Sequence, residues 1–277
     1  MEVPQAIQFL YNNLELENFK LDPTETDCPP KQPGSNGFII TASLSTYYYE
    51  SAINCARSIL DFYPEAKIMI CTEKELFREE HRSLFDVVDL TSPKHKRGKL
   101  YALSRSPYDI TAYVDSDCEI QHEDIVSIFE QLGDKDIMMT HIRKYAAAET
   151  WIDLNKTEKM TWHCGVFLYN NKELTRSFMK DWWKEYIYQE IVLNTKSWPW
   201  GQHKTSMAEW DQYAFYRLYT SEKYSSVQID KFPGYDARWN FVYLYSPEIE
   251  LKDSDVDTII IYHYTLSKEK RNAGRNY

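Results

Sequence analysis

Ile110-Thr111-Ala112-Tyr113-Val114-Asp115-Ser116-Asp117-Cys118-Glu119 is the stretch on which the reading of this chain turns. An uncharged run of strand length, Ile110 to Val114, stops abruptly at two carboxylates spaced two apart. In extended backbone, residues at that spacing point the same way, so one cation could face both. A buried strand running straight into paired acids is costly unless positive charge waits there. A divalent metal carrying a phosphorylated ligand meets that need, because magnesium-like ions are held by one or two carboxylates plus substrate phosphates. Asp-x-Asp alone is a short pattern that a solvated turn after a strand also shows. Its surroundings have to decide.

Upstream, the chain alternates strands with helices. Gly37 to Ser43 reads as a buried strand, and Ser45 opens a helix with Tyr49, Ala52, Ile53, Ala56 and Leu60 on one face. Pro64 closes that helix. Ala66 to Thr72 is the next strand, Glu73 to Phe85 a charged helix, Asp86 to Leu90 a third strand, and Gly98 to Ser106 a further helix. Four strands alternating with helices predict parallel pairing with helical crossovers. In such sheets ligands bind beyond the carboxyl ends of the strands, which here are Thr41-Ala42-Ser43, Thr72-Glu73 and Asp115-Asp117. Downstream, Ile125 to Leu132 reads as a short helix, Asp136 to His141 and His163 to Tyr169 as strands. Thr175 to Glu190 reads as a helix with Phe178, Trp182 and Tyr186 in the core. A helix opens at Glu209, with Asp211 near its amino end, and Thr258 to Tyr264 is the last strong strand. Lys196 to Ser206, holding Trp198 and Trp200, reads as a loop, and residues 1–36 as a helix and loop extension.

Composition narrows the function classes. The 277 residues are 43% hydrophobic and 15% aromatic, ample for a large core. A formal net charge of −10 argues against a nucleic-acid partner or an anionic membrane surface. The one dense basic patch, Lys94-His95-Lys96-Arg97-Gly98-Lys99, is short for nucleic acid and suits a phosphate. Five scattered cysteines without a Cys-x-x-Cys pair fit a reduced interior better than a disulfide framework. No segment reaches the length of a membrane span, and no secretory apolar run follows Met1. The expectation is a soluble, cytoplasmic protein of a kind a bacterium or virus would encode.

The order of motifs resembles the GT-A nucleotide-sugar glycosyltransferases, most of all the glycogenin and bacterial galactosyltransferase (family 8-like) group. The resemblance runs from about Gly37 to Lys270. It rests on Ile39-Ile40-Thr41-Ala42-Ser43, Lys99 to Leu103, Asp115-Ser116-Asp117, Gly165 to Tyr169, Asp211-Gln212, and His263 followed by Lys268. It implies an α/β fold with a mixed, mostly parallel sheet flanked by helices. Residues 37–277 would form that domain, with 37–120 as the nucleotide-binding half and 121–277 as the acceptor-binding half. It also implies a metal-dependent, retaining transfer from a UDP-sugar to a glycan acceptor.

Carried over residue by residue, the resemblance assigns Asp115, Asp117 and His263 to a Mn2+ or Mg2+ ion. Thr41, Ala42, Ser43 and Glu73 would meet the base and ribose, Ser116 would be a further donor-binding residue, and Lys99 and Lys268 would meet the donor's ribose or phosphate oxygens. Tyr47 and Tyr48, just past the first strand, are candidates for stacking near the base. Gly165 would let the donor sugar lie against backbone, with Gln212 nearby and Asp211 or Glu209 as the acid group at the reacting carbon. Two positions depart from the group: His163-Cys164 replaces its usual Asn-Ser before Gly165, and Ala208 stands where an acid is usual. Each residue also has a plain reading. A histidine ending a strand is often a satisfied core residue, and a carboxylate at a helix amino end is favoured by the helix dipole. Trp198 and Trp200 could form a sugar platform or simply core. Two other classes stay open. A glycan-binding protein would explain the aromatics but not the clustered acids, and a sugar nucleotidyltransferase would want glycine and basic residues after Thr41.

Overall fold

The structure, a computed structural model, describes residues 28–141, 162–194, 211–242 and 259–264. A seven-stranded sheet in the order β3-β2-β1-β4-β7-β6-β8 organises them. Its strands are β1 (Asn36–Ala42), β2 (Ile68–Thr72), β3 (Val87–Asp89), β4 (Ile110–Val114), β6 (Ile137–His141), β7 (Trp162–Asn170) and β8 (Ile229–Lys231). The first four are parallel, as the alternation predicts. Beyond them β7 runs antiparallel to β4 and to β6, and β8 parallels β6. A second, three-stranded sheet joins β5 (Cys118–Ile120), β10 (Ile261–His263) and β9 (Phe241–Val242).

Both faces of the large sheet are covered, which explains its near-continuous apolar strands. Along β1, Phe38, Ile40 and Ala42 face one core and Ile39 the other. The first core is closed by α1 (Thr46–Phe62), which buries Tyr49, Ala52, Ile53 and Ala56 as expected; Ile59 is buried as well, and Leu60 of the expected face is half-buried. Ser45 caps its amino end by accepting the Tyr48 N–H at 3.4 Å. The second core is closed by α2 (Gly98–Leu103), α3 (Glu173–Asn194) and α4 (Asp211–Tyr219). Phe178, Trp182 and Tyr186 are fully buried there, as read from their four-residue spacing.

The expected helix over Glu73 to Phe85 does not form. Only a 3₁₀ turn, Glu79–Leu84, is present, and it buries no residue. Leu76, Phe77 and Leu84 still pack against the first core, but from turns rather than from one continuous helix face. The Ile125 to Leu132 segment is likewise 3₁₀ (Glu123–Leu132) but does bury Ile125, Ile128, Phe129 and Leu132. The described part of the last strand is shorter than expected, three residues within Thr258 to Tyr264. The 1–36 extension up to residue 27, the loop holding Trp198 and Trp200, Glu209 and Lys268 lie outside the described residues.

Candidate metal and donor site

The carboxyl ends of β1, β2 and β4 meet at one edge, tied by polar contacts. Thr41 Oγ1 lies 3.3 Å from Tyr113 Oη. Ser43 Oγ lies 2.9 Å from Ser92 Oγ. Past buried Ala42, Leu44 adopts a left-handed backbone (φ 74°), a conformation costly for a residue with a side chain. Its N–H donates to Glu73 Oε1 at 2.7 Å, so this buried carboxylate holds the loop after β1 in place. Gly98 starts α2 against that edge: a Cβ there would lie 2.6 Å from Ser43 Oγ.

β4 delivers Asp115 as read from the sequence, and its N–H donates to Gly165 O at 2.8 Å on the neighbouring strand β7. One carboxylate oxygen, Oδ1, accepts from Tyr113 Oη at 2.5 Å and from Lys99 Nζ at 3.4 Å. The other, Oδ2, faces His263 Nε2 at 3.9 Å. Asp117 follows in the turn that leads into the small sheet, and its Oδ1 lies 3.1 Å from the same nitrogen. Residues remote along the chain, Asp115, Asp117 and His263, therefore come together. Burial alone would raise the pKa of Asp115, and the net shift is upward despite Lys99 and His263. Burial would lower that of His263, but Asp117 and then Asp115 reverse the effect and raise it.

Three residues that the sequence did not flag for the site build its floor. Asn240 Nδ2 donates to Thr140 Oγ1 at 3.0 Å and to His163 Nδ1 at 2.7 Å. His163 Nδ1 also accepts the Gly165 N–H at 3.1 Å, so it is the bare nitrogen of a neutral ring. Burial, then the facing His263, hold the His163 pKa down to about 3. With its amide nitrogen committed on that side, Asn240 turns Oδ1 to His263 Nδ1 at 2.9 Å, which must carry the proton. The ring is thereby fixed with Nε2 toward the two acids. Gly165 makes the arrangement possible, because a Cβ there would lie 2.6 Å from His263 Cε1 and 2.8 Å from His163 Cε1. A shift of register between Met139 and Thr140 in β6 sets Thr140 opposite His163.

Behind the acids sits a buried ion cluster. Lys99 Nζ lies 2.8 Å from Asp211 Oδ2 and donates to Cys164 O at 2.8 Å, and Arg97 Nη1 lies 3.8 Å from Asp211 Oδ1. Burial would raise the Asp211 pKa, but Arg97 and Lys99 more than reverse this and hold it at about 2. The remaining cations of the basic patch also face acids: Lys94 is 3.7 Å from Glu75 and Lys96 is 3.0 Å from Glu190. Gln212, half-buried, follows Asp211 in α4.

A cleft of about 450 Å³ opens beside the acidic turn, lined among others by Tyr47, Asn54, Arg57, Ser116, Asp117 and Tyr264. Burial, reinforced by Asp117, keeps the adjoining Cys118 a thiol in the metal-free protein.

No family model and no curated protein sequence matches the chain. Solved structures do resemble it. The glycosyltransferase GlyE of Streptococcus pneumoniae superposes with a TM-score of 0.53 at 18% identity, over 87% of this chain and 56% of GlyE. The galactosyltransferase LgtC, solved with donor and acceptor sugar analogues, superposes with a TM-score of 0.51 at 13% identity, over 84% of this chain and 88% of LgtC. The chain thus has the GT-A fold of glycosyltransferases, as its motif order implies. It spans little more than half the length of GlyE. Among the described residues no helix is long and apolar enough to cross a membrane.

Proposed function

We propose that this protein is a divalent-cation-dependent glycosyltransferase that moves a sugar from a nucleoside diphosphate sugar, a UDP-sugar, to a glycan acceptor with retention of configuration. The observation that carries the reading is the meeting of Asp115, Asp117 and His263 Nε2, with separations of 3.9 and 3.1 Å, at the carboxyl edge of parallel strands. The donor set fits a Mn2+- or Mg2+-type ion: two carboxylates and one imidazole, with the imidazole fixed in the ligating orientation by Asn240. When bound there, such an ion supplies charge neutralisation for the departing diphosphate.

The protein's own groups divide the remaining work. The cleft is of small-ligand size; Tyr47 and Ser116, which line it, are assigned to the nucleoside together with the Thr41-Ala42-Ser43 edge. Lys99, poised between Asp115 and Asp211, adds positive charge beside the diphosphate. Asp211, held at about 2 by Arg97 and Lys99, is a poor proton acceptor. It suits a carboxylate that stays ionised and steadies positive charge on the sugar, which favours retention over a general-base inversion. Lys268 and Gln212 complete the donor contacts in this reading, whereas the space left by the missing side chain of Gly165 is taken by the His263 and His163 rings rather than by a donor sugar.

The test is a panel of sugar nucleotides incubated with Mn2+, scored for released nucleotide, followed by the anomeric configuration of the transferred sugar. UDP-sugar turnover that stops on chelation and in Asp117→Asn supports the proposal. Turnover indifferent to chelator, or none with any sugar nucleotide, overturns it.

A further inference from the structure

Cys118 opens β5 directly after the acidic turn, and its thiol takes no part in the scheme above. Antiparallel pairing sets it across from His263, and directly opposed side chains share one face with Cβ atoms about 4.5–5.5 Å apart. Asp117 reaches the same place from the turn. The Cys118 sulfur, an Asp117 carboxylate oxygen and a His263 ring nitrogen all lie within 4.8 Å of one another. Around a tetrahedral zinc ion, bonds of about 2.0–2.3 Å place neighbouring donors roughly 3.3–3.6 Å apart. The 3.1 Å between His263 Nε2 and Asp117 Oδ1 is already close to that spacing. Asp115 is not part of this group.

The geometry points to a second metal-binding mode at this corner: a thiophilic divalent ion of the zinc type, held by Asp117, Cys118 and His263. Asp117 and Cys118 both line the cleft, which leaves a fourth position open to solvent or ligand. As the metal binds, the thiol proton and the proton that His263 Nε2 shares with Asp117 pass to solvent, and no electron is transferred. One carboxylate, one thiolate and one neutral imidazole then balance a dipositive ion, so the filled site carries no net charge into a buried corner. Sulfur makes the choice of ion, because thiolate favours zinc-like metals over magnesium or manganese. Asp117 and His263 also serve the oxygen-rich set proposed above, so the two occupancies exclude each other. Zinc-type ions would then block donor binding, a consequence that rests on the transferase reading, whereas the thiolate site itself does not.

Cobalt(II) is the probe, added to the full chain under a non-thiol reductant. The expected result is a near-ultraviolet sulfur-to-cobalt charge-transfer band with the visible bands of a tetrahedral ion, bleached by stoichiometric Zn2+. Cys118→Ser should abolish the charge-transfer band, while Cys28→Ser, on a half-buried cysteine elsewhere, should keep it. Zn2+ affinity should fall in Cys118→Ser by at least the ~10–100-fold that loss of an outer-shell partner alone costs. X-ray absorption at the zinc edge of the unsubstituted protein needs no variant and should show one sulfur at about 2.3 Å. Cobalt binding without the band, a band that survives Cys118→Ser, or a zinc shell without sulfur overturns the inference. A parallel titration of Mn2+ with UDP reads the proposed function separately: Mn2+ uptake with UDP beside a sulfur-free zinc shell sinks this site and leaves the transferase reading standing.

Discussion

Asn240 does for His263 what neither acid can do. By spending its amide nitrogen on His163 and Thr140 and its oxygen on His263 Nδ1, it decides which imidazole nitrogen faces the two acids. Replacing it by leucine keeps the bulk and removes the acceptor. Mn2+ affinity in the presence of UDP, measured calorimetrically, should drop by about 10–100-fold in Asn240→Leu, the usual cost of losing an outer-shell partner. Unchanged affinity would show that the ring holds its orientation without help. Gly165 is equally constrained. Gly165→Ala puts a methyl group 2.6 Å from His263 Cε1, and the overpacking should lower stability by about 1–3 kcal/mol in denaturant titration. Asp211 gives a pH signature. Its pKa is depressed in the folded protein, so its stabilising contribution is present above the unfolded carboxylate value and disappears as pH falls toward about 2. The wild type should lose stability on acidification through that window, whereas Asp211→Asn, less stable at neutral pH by about 3–5 kcal/mol because Lys99 and Arg97 lose their buried counter-charge, should show a flatter acid limb.

At the scale of elements, contacts between distant segments decide more than propensity does. β3 is three residues long, yet Asp89 in it receives the Arg105 guanidinium from just beyond α2 at 2.6 Å, with both side chains almost wholly buried. Arg105 also lies over the Tyr101 ring at 5.0 Å. Arg105→Met leaves Asp89 buried without its partner and should cost about 3–5 kcal/mol in a calorimetric unfolding experiment. No periodicity announces such a pair. What the sequence does make legible is what repeats or stops abruptly: the short apolar run of β1, the apolar run of β4 ending in Asp115, the four-residue aromatic spacing of α3. The segment Glu73 to Phe85 has ample helix-forming residues, yet its apolar side chains Leu76, Phe77 and Leu84 reach the core without a helix. Asn240 and Tyr113 were illegible as site residues for another reason, and His163 showed only as a departure from the resembled motif. Their importance lies in hydrogen bonds to partners far along the chain or across a sheet, and an isolated asparagine or tyrosine carries no mark of its future partner. The basic patch was read correctly as unusual, but its charges turn out to face carboxylates of the protein itself.

For the whole molecule, the acidic turn is a joint. Asp115 ends a strand of the seven-stranded sheet, Asp117 enters the three-stranded one, and His263 lies in that smaller sheet's central strand. A ligand that binds only the folded state stabilises it by mass action, about 2.7 kcal/mol at a hundredfold excess over Kd. UDP with Mn2+ should therefore raise the melting temperature, and chelator should return it to the starting value. Amide hydrogen exchange gives the finer readout: protection should increase at Ile261–His263 and leave Ile68–Thr72, deep in the parallel half, unchanged. Uniform slowing, or none, would mean the cation does not bridge the two sheets. The coupling is reciprocal. Under the proposed function, whatever tugs on the three residues of β10 would weaken the grip on the donor by the same free energy with which the donor fastens that strand. If the donor binds as proposed, retention of the nucleotide and seating of the chain's late strand are one equilibrium seen from two ends.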